Sequence, residues 1–123
     1  MSCESYASGV GTVDELIAGL DEPEASALAR IRDLAMAVAP EAAQGTSYAV
    51  PALLWRGKPL LGFHVARRHL SLYPFSPAAI DATRDQLEGL ALSKGTVRFS
   101  TQNPPSDAAV TALVAARRDE IAA

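Results

Sequence analysis

The sequence predicts an α+β fold: a single domain in which an antiparallel β-sheet carries helices packed on one face. Three observations predict it. Apolar residues recur at helical spacing near both ends of the chain. The middle, from Thr46 to Tyr73, changes to short β-type runs broken by turn residues. Those runs are joined by connections too short for a helical crossover, which leaves antiparallel pairing. The predicted order is α-α-β-β-β-α-β-α.

Each element has a local reason. Thr12-Val13-Asp14-Glu15 is a capping box, a hydroxyl cap with a glutamate three residues on, and it opens a short helix to about Leu20. Glu22 followed by Pro23 reads as a second helix start with proline at the first helical position. Leu28, Ile31, Leu34, Ala35 and Val38 then share a face until Pro40 stops the run. Leu53 to Trp55 and Leu60 to Val65 flank Arg56-Gly57-Lys58-Pro59, a hairpin turn. His69 to Tyr73 follows Arg67-Arg68 as the third strand. Ser76-Pro77 caps a third helix reaching about Leu87, with Ile80, Thr83 and Leu87 on one face. Thr96 to Ser100 is a further strand. Asn103-Pro104-Pro105-Ser106 delivers a cap to the last helix, whose inner face is Val110, Leu113, Val114, Arg117 and Ile121.

Strand parity sorts the side chains. A hairpin centred on Arg67-Arg68 pairs Val65 with Leu70, His64 with Ser71 and Gly62 with Tyr73. Leu61, Phe63, Val65, Leu70 and Leu72 then face the helices. Gly62, His64, His69, Ser71 and Tyr73 face the other way, joined by Arg98 and Thr96 of the last strand. A turn at Gly57-Lys58 adds Leu53, Trp55 and Leu60 to this second face. Aromatic residues mixed with a few polar groups around a glycine gap mark a ligand floor or a partner interface.

Composition bounds the function. The chain has 123 residues, 49 % apolar and 20 % charged, which suits one domain with a real core and excludes a disordered tail protein. The ordered domain is expected over 12–123, with 1–11 as a mobile tail. No apolar run approaches the roughly 18 residues of a membrane helix. MSCESYASG lacks the basic start and apolar stretch of a signal peptide. The one cysteine, Cys3, forms no internal disulfide, so the expectation is a cytoplasmic domain with no membrane partner. A net charge of −3 and an isoelectric point near 5.3 argue against nucleic acid as a partner.

The charge is unevenly spread. Glu4, Asp14, Glu15, Asp21, Glu22, Glu24, Asp33 and Glu41 precede residue 42 against only Arg30 and Arg32. Residues 42 to 80 hold Arg56, Lys58, Arg67 and Arg68 and no acid at all. The early acids suit helix N-termini, and they also form a ridge of oxygen donors for a hard cation at Asp14, Glu15, Asp21, Glu22 and Glu24. His64 and His69 lack a nearby carboxylate or cysteine to complete a metal site.

Catalytic patterns are missing. Ser71 beside His64 has no acid for a relay and lies in no nucleophile elbow. Ser93-Lys94-Gly95-Thr96 has phosphate-loop residue types in the wrong order. An oxyanion between Lys94, Arg98 and Tyr73 is one reading of that turn; a lysine–glycine turn before a strand is the other. No enzyme is expected, and no catalytic residue is assigned.

VDELIAGL (13–20), APEA (39–42), SYAVPA (47–52), RGKPL (56–60), RHLSLYP (68–74) and SKGTVRF (93–99) occur in this order over about residues 13 to 118. Together they resemble the YdhG-like family, small bacterial domains largely of unknown function. The resemblance implies a compact α+β domain. It also implies a frataxin-like iron chaperone as one function, since part of that family is so described, with weakly held iron and an iron-receiving assembly protein as partner. Members often carry Gly-Met where this chain has Ala49-Val50. The alternative is a metal-free module that binds a small ligand or forms a homodimer through the face of Tyr48, Trp55, His64, His69, Ser71, Tyr73, Lys94 and Arg98.

Overall fold

The structure, a computed structural model, describes residues 12–47, 50–66, 69–93 and 95–123. Two helices come first, α1 (Val13–Ala18) and α2 (Glu24–Val38). Four strands follow: β1 (Ala43–Ser47), β2 (Val50–Trp55), β3 (Lys58–Val65) and β4 (Leu70–Tyr73). Then come α3 (Pro77–Ala82), a 3-10 turn (Arg84–Leu87), β5 (Ala91–Ser93), β6 (Thr96–Phe99) and α4 (Asp107–Ala122). The sheet has six strands in the order β1-β2-β3-β4-β6-β5, every neighbouring pair antiparallel. The order read from sequence stands, and β1 and β5 extend it at the two edges. Neither edge strand is apolar enough to announce itself: β1 reads AQGTS and β5 has three residues.

The caps predicted at Thr12, Ser76 and Ser106 form, while the one predicted at Glu22 does not, Pro23 being the cap residue of its helix. Thr12 Oγ1 accepts from the Glu15 N–H, while the Glu15 carboxylate accepts from the Thr12 N–H at 2.9 Å, closing the capping box. Ser76 Oγ accepts from Ala79 N–H and Ser106 Oγ from Ala109 N–H. α2 begins at Glu24, one residue past the proline, and the Glu22 carboxylate accepts from Ser26 N–H in its first turn. The third helix breaks at Thr83, whose hydroxyl bonds back to the Ala79 carbonyl and ends the regular ladder. Ile80, Thr83 and Leu87 are nonetheless all buried.

Leu28, Ile31 and Ala35 of α2 and Val110, Leu113 and Val114 of α4 meet Leu61, Phe63, Leu70, Leu72, Val97 and Phe99 of the sheet in one core. The β3–β4 register is the expected one, Val65 with Leu70, His64 with Ser71 and Gly62 with Tyr73. The Arg67-Arg68 tip of that hairpin lies outside the described residues, as do the tail 1–11, Tyr48, Ala49 and Lys94.

The β2–β3 hairpin departs from expectation, and the departure moves three side chains. Its turn is Arg56-Gly57, both with positive φ (54° and 78°), and Trp55 pairs with Lys58. Leu60 is the extra residue of a bulge, so Leu53 pairs with Leu61. A one-residue change of register turns every side chain to the opposite face. Leu53, Trp55 and Leu60 therefore belong to the core, at 0 %, 6 % and 0 % exposure, and not to the second face. Arg56 lies over the Trp55 ring at 4.3 Å and closes that end of the core.

Candidate binding surface on the outer sheet face

The face turned away from the helices is built by register. Gly62 pairs with Ala52 on one side and Tyr73 on the other, and Ser71 pairs with His64 and Arg98. Ala52 is 0 % and Ser71 2 % exposed, although no helix covers them. The cover at the centre of the face is Phe75. Leaving β4 through Pro74, the chain adopts φ 60° at Phe75, a left-handed conformation that a bulky residue holds only when its surroundings impose it. A Cβ at Gly62 would stand 3.0 Å from Phe75 Cζ and 3.3 Å from Val50 Cγ2. The glycine gap seen in sequence is thus the seat of an aromatic ring.

Beside that ring a cavity of about 300 Å³ is lined by Val50, Tyr73, Phe75 and Gly95. Its walls are chiefly apolar, and the ring of Tyr73, one of them, lies 6.3 Å from that of His64. No strand residue on this face is acidic. A concave apolar surface with a few polar groups at its rim holds small organic molecules.

The proposed metal ridge is dispersed. Asp14 pairs with Arg32 at 2.9 Å, Glu15 is used in the capping box, and Glu22 caps Ser26. Asp21 and Glu24 have no ion-pair partner among the described residues and line a cleft of about 360 Å³ together with His69. Sequence reasoning put His69 with Tyr73 and the acids elsewhere; the fold brings His69 to the α1–α2 turn. Among the described residues no group of three or more histidines, cysteines or carboxylates is placed to hold a metal ion. Nor is any described helix long and apolar enough to cross a membrane.

Phe75 is the residue that sequence reasoning missed. Its signal was present: an aromatic two residues past Tyr73, beyond a proline, with a glycine waiting on the neighbouring strand.

The fold has a known counterpart. The crystal structure of YdhG, a protein of the DUF1801 family from Bacillus subtilis, superposes with a TM-score of 0.77. The match covers 90 % of this chain and 91 % of that one at 17 % sequence identity. The resemblance carried by the sequence segments is borne out as a shared fold, and the chain is a YdhG-like α+β domain in architecture. No family model and no curated protein matches the sequence.

Proposed function

We propose that this YdhG-like domain is a metal-free binding module, not an enzyme, whose outer sheet face takes a small organic molecule in the cytoplasm. One observation carries the reading: the centre of that face is sealed by Phe75 over Gly62, and an apolar cavity stays open beside it. A face evolved only to meet water has no use for a bulky residue held at φ 60°. The cavity suits one ring or a short branched chain, with Tyr73 as the stacking wall.

Benzoate is a suitable probe. A ligand that binds only the folded state at one hundred times its dissociation constant stabilises by roughly 2.7 kcal/mol, a rise of several degrees in a domain of this size. The reading expects benzoate to raise Tm in the native protein and not in Tyr73→Ser. An equal rise in both, or none in either, contradicts it. Light scattering separates the homodimer version of this face: a monomer leaves the face free for ligand.

The iron-chaperone reading survives in narrower form. In it, iron is a weakly held cargo bound for an assembly protein, and of the ridge only Asp21 and Glu24 are left free of caps and ion pairs among the described residues. With His69 they line one cleft but form no group placed to hold a metal ion by themselves. Anaerobic ferrous titration is expected to lose its signal in Asp21→Asn/Glu24→Gln and to keep it in Asp14→Asn/Glu15→Gln. The opposite pattern defeats this version.

A further inference from the structure

Where β4 and β5 begin and β6 ends, a further groove of about 300 Å³ is lined in part by His69, Arg98, Ser100 and Asn103. Arg98 sets it apart. Every other described arginine has a partner. Arg30 pairs with Asp107, Arg32 with Asp14 and Asp33, Arg84 with Asp81, Arg117 with Glu120, and Arg118 with Asp119. Arg56 stacks on Trp55. Arg98 is exposed and has neither a carboxylate nor a ring among the described residues, its strand neighbours being Ser71 and Ala91.

The surroundings fit an anion. A guanidinium offers a rigid fork of donors matched to the paired oxygens of carboxylate and phosphate. Asn103 is held in place by its Nδ2, which donates to the Gly89 carbonyl at 3.1 Å, and an amide nitrogen keeps a second N–H to give. Ser100 adds a hydroxyl and His69 a ring nitrogen. No carboxylate lines the groove.

We propose that this groove binds an oxyanion, the phosphate or carboxylate group of a small molecule, with Arg98 as its bidentate anchor. The site shares no lining residue with the apolar cavity, so amide shifts at each report a carboxylate ligand such as benzoate separately; His69 and Ser100 also line the cleft of Asp21 and Glu24.

The test is a titration of the ¹⁵N-labelled full chain with inorganic phosphate and, separately, acetate, at constant ionic strength made up with chloride. Expected are saturable amide shifts confined to residues 69–70, 98–100 and 103. Arg98→Gln is expected to weaken binding about tenfold or more at unchanged Tm, and Arg98→Lys less, since it keeps the charge and loses the fork. Tighter binding of phosphate assigns the site to phosphate esters, and tighter binding of acetate to carboxylates. Non-saturating shifts scattered over all surface cations, or equal affinity in native protein and Arg98→Gln, overturn the proposal.

Discussion

At Gly62 the absence of a side chain is what lets Phe75 lie on the sheet. Valine there would drive its methyl groups into the Phe75 ring and Val50, and overpacking of this kind costs on the order of 1–3 kcal/mol. Gly62→Val is expected to lower stability in urea by about 2 kcal/mol, with part of the loss recovered in the double variant Gly62→Val/Phe75→Ala. Full additivity of the two changes would show that the ring does not sit on the glycine. The gap at Gly62 and the outward set His64, Ser71 and Tyr73 were legible from strand parity alone. The ring that fills the gap was signalled only by the aromatic two residues past Tyr73, and its seating was not legible, because a left-handed φ at phenylalanine is a tertiary outcome. Side-chain caps were the opposite case. Ser106 was readable as a cap from its own type and position, and Ser106→Ala is expected to cost about 1 kcal/mol by thermal denaturation.

Among the elements, the β2–β3 hairpin decides which face is which. A turn at Gly57-Lys58 and a turn at Arg56-Gly57 are both consistent with the local sequence. The bulge at Leu60, set by long-range pairing, then fixes the register. This buries the chain's one tryptophan in the core at 6 % exposure. Trp55→Ala is therefore expected to destabilise by about 3–5 kcal/mol, the cost of emptying a core site. Native Trp55 fluorescence should lie at the blue end of its range and move red on unfolding. A loss under about 1 kcal/mol would return Trp55 to an exposed face. Edge strands were the other blind spot: β1 and β5 are held by pairing with β2 and β6, not by apolar patterning of their own.

For the whole molecule, one layer of helices closes the inner face and the sheet turns the other outward. The acids of the first third were legible as a group but not their fates. Folding spends Asp14, Glu15 and Glu22 on Arg32, Thr12 and Ser26, leaves Asp21 and Glu24 beside His69, and places Arg98 at the other groove that His69 lines. Spacing along a chain does not reveal which charges meet, because ion pairs such as Arg30 with Asp107 join residues far apart in sequence. There the hydrogen bond to Asp107, and then its charge, hold the Arg30 guanidinium above its usual range. On the reading proposed above, the outer face binds a small organic molecule beside Phe75. The most direct measurement is a ¹⁵N amide-shift titration of the full chain with benzoate. Saturable shifts are expected at Val50, Tyr73, Phe75 and Gly95 and not at Trp55 or along α2. Shifts centred on the helix layer, or none at saturating benzoate, would contradict it.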